Sequence, residues 1–368
     1  MRTSKLAIFH GPGQPLSLET VAIPALRSGE ILVRNEYTTL CRSDLNTYSG
    51  KRKEKVPTIL GHEIIGTIEE FGPGAPGKDC RGSELRRGNR VTWAIYASNP
   101  DSALSRVGIP QKGDGVFKYG HEQVLPNQTL HGGLAQYCIL RPHTPVIRIN
   151  ALIPLSVMAL INCAVATVSG ALRITGTVKD CNMVIAGAGM LGVVACAMSR
   201  CLAARRIIAV DIDDARLATA KKFGADLTLN ARTMDRKFAE CVAELIPGEG
   251  VTVALDFSGI PETMEALISV LSVGGTAVLV GATFPQRALE INAEQLIRRV
   301  LTIKGLHNYN AEDLVTAVEF MEQNHDRLPF SKLVCDQFDL DSVDEAFQFG
   351  MDPAVYRVGV RIGQGNKE

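Results

Sequence analysis

Hydrophobic and polar positions change period once along the chain, near residue 150. Before that point apolar residues come in short strand-like runs, Glu30 to Tyr37, Ile64 to Glu70 and Arg90 to Ile95. Turn signals separate them (Arg27-Ser28-Gly29, Gly72-Pro73-Gly74, Arg87-Gly88-Asn89), so residues 1 to about 150 predict a β-rich domain. Asn99 to Gly115 has no period and carries Pro100, Gly108, Pro110, Gly113 and Gly115, which predicts a long loop. From Val157 to Leu172 the period is helical, and strand and helix then alternate. Strands are expected over 183–186, 206–211, 227–230, 251–257 and 276–281, with a loop entering a helix over 187–202, a helix over 216–223 and one between the last two strands. Such alternation predicts a doubly wound parallel sheet. The stretch from about 306 mixes helix (Glu312 to Met321) and strand (Val355 to Ile362) and is assigned to the first domain. The expected fold class is therefore α/β, with a β-rich domain over 1–163 and 306–368 and a cofactor domain over 164–305.

Composition changes this picture little. At 368 residues the chain is too long for one ordinary core. Hydrophobic content of 46%, 21% charged residues and 34 glycines describe a soluble, loop-rich protein. Formal net charge is zero, and no basic stripe or amphipathic basic helix points to nucleic acid or a membrane surface. Leu6 to Phe9 is too short for a signal-peptide core and breaks at Gly11-Pro12-Gly13, so a cytoplasmic location is expected. Leu152 to Leu172 is apolar but interrupted by Pro154, Ser156, Asn162 and Ser169, as a buried helix rather than a membrane span. Nine scattered cysteines are not a disulfide framework, and most are expected to be small buried residues.

Two stretches carry chemistry. Gly187-Ala188-Gly189-Met190-Leu191-Gly192 follows an expected strand and opens an expected helix. The first glycine suits a tight turn, the second a close approach of pyrophosphate, and the third close helix–strand packing. Asp211 ends the next strand about twenty residues on, where a carboxylate takes both ribose hydroxyls. It would also repel a 2′-phosphate, with Asp213 and Asp214 adding to the effect, so NAD is expected over NADP. Arg216 is the one nearby cation and is placed along the adenine or its ribose.

The second stretch is Thr39-Leu40-Cys41-Arg42-Ser43-Asp44, followed by Leu60-Gly61-His62-Glu63. Cys41 and His62 suit two positions of a catalytic zinc site, which takes three protein ligands and keeps a fourth position open. Asn162-Cys163 supplies the third candidate, Cys163. Two thiolates and one imidazole neutralise the ion and leave it able to lower the pKa of an alcohol. Glu63 reads as a fourth ligand or a supporting carboxylate, and Asp44 as acceptor for the free N–H of His62. Taken singly, each cysteine is also a buried small residue and His62 a turn histidine.

Cys41-Arg42-Ser43-Asp44, Gly61-His62-Glu63, Asn162-Cys163 and Gly187 to Gly192, in this order, resemble the zinc-dependent medium-chain alcohol dehydrogenases over essentially the whole chain. The resemblance implies a GroES-like catalytic domain, a Rossmann cofactor domain and an active site in the cleft between them. It implies NAD-linked hydride transfer between a small alcohol and an aldehyde or ketone, in a homodimer or homotetramer. Cys41, His62 and Cys163 would be the zinc ligands and Ser43 would take the hydroxyl proton. Thr167 would support the nicotinamide, and the backbone of Val280 and Ala282 would face its carboxamide. Thr276 to Gly281 is read as the sheet edge where a second copy pairs.

Two departures stand out. Many relatives hold a second, structural zinc with four close cysteines, whereas Ala97 to Gly120 has none, so one catalytic zinc and no structural zinc are expected. Asn46 stands where many relatives have a histidine, so a relay ending there cannot operate. A finer resemblance, in Ser49-Gly50-Lys51-Arg52, Pro110-Gln111-Lys112, Lys118 to Glu122 and Asn162 to Thr167, is to the phosphonate-metabolism-associated branch. Lys51, Arg52, Lys53, Lys112, Lys118 and His121 could hold an anionic head group, although they also suit solvated loops and have Glu54 and Glu122 beside them. Same-fold rivals are a sorbitol-like polyol or threonine-type dehydrogenase, in which Glu63 or Glu122 matters more. The rival of another class is a non-catalytic dinucleotide-sensing protein, and it would lack a metal ligand.

Overall fold

The computed structural model describes residues 2–126, 128–248 and 250–363. The chain divides into two compact units, Met1–Cys163 with Asn310–Glu368, and Ala164–Tyr309.

The first unit is built on a seven-stranded sheet. Its order is Val334–Asp339, Arg357–Arg361, Ile31–Leu40, Glu63–Phe71, Arg90–Trp93 and Val146–Arg148, with Tyr137–Leu140 pairing the first half of Ile31–Leu40. The long strand Ile31–Leu40 runs on into Cys41 and alternates buried positions against two packed clusters. One holds Leu6, Phe9, Leu40, Leu45, Ile59, Leu134 and Phe347, the other Val33, Ile64, Ile68, Val91, Trp93 and Tyr119. The C-terminal strand Arg357–Arg361 pairs antiparallel with Tyr37 to Leu40 and so ends up beside the Cys41 stretch. Asn99 to Gly115 is not a plain loop. Ser102 caps a short helix, Ala103–Arg106, by accepting from the Ser105 N–H, and a 3-10 turn follows at Pro110–Lys112.

The second unit is a parallel sheet of order Leu227–Asn230, Arg206–Asp211, Asn182–Ala186, Val251–Asp256, Leu271–Leu279, Thr302–Gly305. In chain order this is strand 3-2-1-4-5-6, which reverses between Asn182–Ala186 and Val251–Asp256 and opens a crevice at their carboxyl ends. The central strands, Asn182–Ala186, Arg206–Asp211 and Val251–Asp256, are largely apolar and buried, as strands covered on both faces are. The strand Leu271–Leu279 is not the sheet edge: it pairs on both sides, and Thr302–Gly305 lies outside it. The expectation of an edge at Thr276 to Gly281 is corrected on this point. The last strand was not evident from the sequence because only four residues of it pair.

The helix expected from Val157 to Leu172 is also corrected. It is interrupted: Leu155–Met158 is α-helical, Ile161–Val165 is a π turn, and Ala166–Thr175 is α-helical again. By length and composition Leu155–Thr175 could cross a membrane, but 83% of its most apolar window is buried within the protein.

Candidate metal centre and dinucleotide loop

The metal-ligand candidates come from three elements of the first unit. Cys41 ends the long central strand and precedes the helix Arg42–Tyr48. His62 lies in the turn leading to the strand Glu63–Phe71, and Cys163 lies in the π turn. One ligand atom from each of Cys41, His62, Glu63 and Cys163 falls within 4.8 Å of all the others. Cys163 Sγ stands 3.5 Å from His62 Nε2. Tetrahedral zinc with thiolate and imidazole bonds needs ligand atoms separated by roughly 3.3–3.8 Å. Cys163 and His62 stand within that range, Cys41 lies within 4.8 Å of both, and two thiols with an imidazole are a donor set that fits zinc.

A second layer fixes these side chains. Asp44 is fully buried and holds three groups: Oδ2 accepts from the Cys41 N–H at 2.9 Å, and Oδ1 accepts from the Gly61 N–H at 3.2 Å and lies 3.3 Å from His62 Nδ1. Asp44 thus faces His62 Nδ1 at ion-pair distance without a hydrogen bond of good geometry, while His62 Nε2 faces Cys163. The Asn162 amide donates to the carbonyls of His62 and Trp93, both at 2.9 Å, and so anchors the π turn on the histidine turn. π turns occur often at functional sites because the extra residue shifts a side chain out of helical register.

Glu63 is not presented as a ligand in this arrangement. Its Oε2 accepts from Arg357 Nε at 2.9 Å and from the Thr39 hydroxyl, and its Oε1 accepts from Arg357 Nη2 at 3.2 Å. The same guanidinium reaches Cys41 Sγ at 3.6 Å. Arg357 and Thr39 were missed in the sequence. The available signal was a lone arginine inside the apolar strand Tyr356-Arg357-Val358-Gly359-Val360, since a buried guanidinium requires a partner.

The electrostatics agree with a prepared thiolate. A hydrogen bond from Cys163, then the Arg357 guanidinium and the His62 imidazole, hold Cys41 well below the ordinary thiol value against the effect of burial. As the donor of that bond, and being buried itself, Cys163 is held well above it. Burial opposes the Asp44 charge, but the facing His62 keeps its carboxyl below the usual value. Burial pushes the Glu63 carboxyl up in spite of Arg357. Ser43, on the first turn of Arg42–Tyr48, is partly exposed, and the backbone carbonyl of Asn46 accepts from the Arg52 N–H at 2.9 Å.

The charged loops near His62 form a graded cluster. His121 stacks against His62 with ring centroids 4.8 Å apart, and its Nδ1 is 3.1 Å from Glu54, which also pairs with Arg52 at 2.6 Å. Burial, then Lys112 and Arg52, push Lys118 down to about 8. Lys51 and Lys53 are exposed.

In the second unit Gly187 sits at φ +90° at the end of Asn182–Ala186, and Gly189 precedes the helix Met190–Cys201. A Cβ on Gly192 would stand 1.8 Å from the Gly187 carbonyl oxygen, whereas one on Gly189 would meet only Arg216 Nη1, at 3.9 Å. The third glycine is therefore a packing requirement, and the second leaves the backbone open beside a guanidinium. Met190 is buried and Leu191 partly so. Asp211 holds the loop directly: Oδ2 accepts from the Ala188 N–H at 2.6 Å, and Oδ1 from the Ile212 and Asp213 N–H groups at 2.7 and 3.1 Å. Three of about four acceptor positions of the carboxylate are used. In this arrangement one remains for ribose, fewer than the two hydroxyls expected. Thr167 is 7% exposed in Ala166–Thr175. Val280 follows the strand Leu271–Leu279, its N–H on the Asp256 carbonyl at 3.0 Å, with Ala282 two residues on, at the same strand ends as the glycine loop.

Residues 27–151 match the alcohol dehydrogenase GroES-like domain, and residues 191–323 match the zinc-binding dehydrogenase domain. The chain is 30% identical to an alcohol dehydrogenase of Geobacillus stearothermophilus over 321 residues, 86% of this chain and 88% of the relative. It is 26% identical to an L-threonine 3-dehydrogenase of Shewanella frigidimarina, over 94% of this chain and 92% of that one. An alcohol dehydrogenase from Thermotoga maritima has the same fold, with a TM-score of 0.90 at 24% identity, covering 99% and 100% of the two chains. The chain belongs to the zinc-dependent medium-chain alcohol dehydrogenase family and is an oxidoreductase of its alcohol, polyol or threonine dehydrogenase type.

Proposed function

We propose that the protein is an NAD-dependent alcohol dehydrogenase with one catalytic zinc, held by Cys41, His62 and Cys163. The observation that carries this reading is the convergence of these three side chains within 4.8 Å, oriented by Asp44 and Asn162. When bound, zinc supplies Lewis acidity towards the alcohol oxygen, and the nicotinamide accepts the hydride. The chain's own residues do the rest. Asp44 fixes the His62 tautomer, Arg357 stabilises the Cys41 thiolate, and Glu63 keeps Arg357 in place. Ser43 takes the hydroxyl proton, and with Asn46 three residues on, that proton leaves by water or ribose rather than by an imidazole. Thr167 and the backbone of Val280 and Ala282 hold the nicotinamide. Asp211 disfavours a 2′-phosphate, while Arg216 over Gly189 lies next to the expected pyrophosphate. A homodimer or homotetramer paired through Thr302–Gly305 fits that strand's place at the edge of the sheet.

Within this class we favour a small hydroxyalkyl phosphonate as substrate, because Lys112 and Arg52 crowd Lys118, and Arg52 also acts on His121, whose ring packs against His62. The similarity to an L-threonine 3-dehydrogenase favours a second reading, in which a zwitterionic 2-amino-3-hydroxy acid uses the same cations and Glu122. NAD and NADP reduction across simple alcohols, polyols, threonine and hydroxyalkyl phosphonates separates the two. A clear preference for phosphonates supports the first, turnover of threonine alone overturns it, and no turnover with any alcohol favours a non-catalytic dinucleotide-sensing protein.

A further inference from the structure

Asp256 closes the strand Val251–Asp256 at the point where the strand order of the second unit reverses. Its strand neighbours there are Ala186, just before the glycine loop, and Leu279, just before Val280. The side chain is fully buried. Oδ1 accepts from the Ser258 N–H at 3.1 Å and from the Ser258 hydroxyl at 2.6 Å, and Oδ2 accepts from the Gly259 N–H at 3.1 Å. Burial pushes this carboxyl above the usual value, and the Ser258 and Gly259 bonds oppose the shift. A buried carboxylate carries a large desolvation cost, and carboxyls perturbed in this way cluster at functional sites.

What the carboxylate shapes is a turn wedged between two backbones. A Cβ on Gly187 would stand 2.8 Å from the Ser258 nitrogen, one on Gly281 2.2 Å from the Gly259 nitrogen, and one on Gly259 2.6 Å from the Gly281 carbonyl oxygen. The turn therefore touches Gly187 on one side and Gly281 on the other, with no room for a side chain between them. Val280 and Gly281 also donate to the main-chain carbonyl of Asp256, at 3.0 and 3.2 Å. The glycine loop has separate anchors: the Gly187 N–H meets the Val210 carbonyl at 2.8 Å, and the Ala188 N–H meets the Asp211 carboxylate at 2.6 Å.

We propose that Asp256 is a positioning residue for the nicotinamide end of the cofactor: its carboxylate sets the Ser258–Gly259 turn, and that turn sets the Val280 to Ala282 backbone which holds the nicotinamide. The inference rests on the NAD-dehydrogenase reading above. Because the glycine loop is anchored elsewhere, losing the carboxylate loosens the nicotinamide and spares the adenosine diphosphate end. Asp256→Asn turns one acceptor oxygen into an amide donor facing another donor. Ser258→Ala removes the hydroxyl donor and leaves the carboxylate in place.

Nicotinamide emission of NADH bound to full-length, zinc-loaded protein is followed by time-resolved fluorescence anisotropy, with ADP-ribose as a competitor that lacks the nicotinamide. Wild type should hold the ring rigidly, without a fast decay of its own. Asp256→Asn should add a decay on the picosecond-to-nanosecond scale of local motion, and Ser258→Ala a smaller share of it. ADP-ribose affinity should change by less than about threefold, under the worth of one hydrogen bond. The proposal is overturned if Asp256→Asn, or Ser258→Ala where the first does not fold, holds NADH as rigidly as wild type. It is also overturned if wild type already shows the fast decay, or if ADP-ribose affinity falls as far as that of NADH, the mark of a general structural defect. A wild-type protein that binds neither NADH nor ADP-ribose overturns the dehydrogenase reading itself, and this inference with it.

Discussion

The side-chain amide of Asn162 is bonded to the backbone carbonyl of His62 at 2.9 Å, so one metal-ligand candidate positions the residue next to another. The same amide reaches the Trp93 carbonyl at 2.9 Å. Asn162→Ala leaves two buried carbonyls unpaired, an expected cost of about 2–4 kcal/mol. It also frees the π turn that carries Cys163, so zinc should be lost to a competing chelator at least about tenfold more readily. Denaturant unfolding and chelator competition check this. Unchanged stability together with unchanged zinc retention would show that the amide does not organise the centre.

The Glu63–Arg357 pair lies where neither charge is hydrated, at 0% and 4% side-chain exposure. Arg357→Met strands the Glu63 carboxylate and should cost about 3–5 kcal/mol. Glu63→Gln together with Arg357→Met should restore part of that loss, because the pair is removed as a unit. A double variant whose loss is the sum of the two single ones would contradict this coupling.

Gly189→Ala and Gly192→Ala should fail in different ways. An alanine at 192 would place its Cβ 1.8 Å from the Gly187 carbonyl oxygen, so overpacking should cost about 1–3 kcal/mol and lower the melting temperature by several degrees. At 189 the nearest atom to an added Cβ is the end of the flexible Arg216 side chain, so stability should hold while NAD affinity falls. Thermal melts and NAD titration of both variants decide it, and equal melting temperatures would refute the assignment of packing to Gly192.

The parts of this protein that were legible in the sequence are those with short-range rules. The glycine loop, the strand after it and Asp211 follow from turn and packing requirements within a few residues. Cys41, His62 and Cys163 were legible as a set of chemically matched residues at the ends of apolar runs. Arg357 was not, because its partner is 294 positions away and only the pairing of Arg357–Arg361 with Ile31–Leu40 brings the two together. The π turn was not either: Ile161 to Val165 has ordinary helical composition, and what fixes its register is the long-range bond from Asn162 to His62. The edge strand Thr302–Gly305 is short and partly polar, so its sequence carries no period to read.

Lys118 gives a pH signature. Its ammonium titrates at about 8 in the folded chain against an ordinary 10.5. Between these values the unfolded chain holds a proton that the folded chain lacks, so folding should gain from rising pH over that window. Affinity for an anionic substrate moves the other way, since the charge that attracts it is lost above about 8. KM for a hydroxyalkyl phosphonate should therefore rise through this range and KM for a neutral alcohol should not, and Lys118→Met should remove the difference. A flat KM for the anion across the range would detach Lys118 from the substrate.

Metal analysis of extensively dialysed, full-length protein tests the central claim most directly. The account predicts one zinc per chain, lost in Cys41→Ser and in Cys163→Ser. Less than one zinc per several chains would contradict the catalytic centre, and two per chain would contradict a single-zinc enzyme.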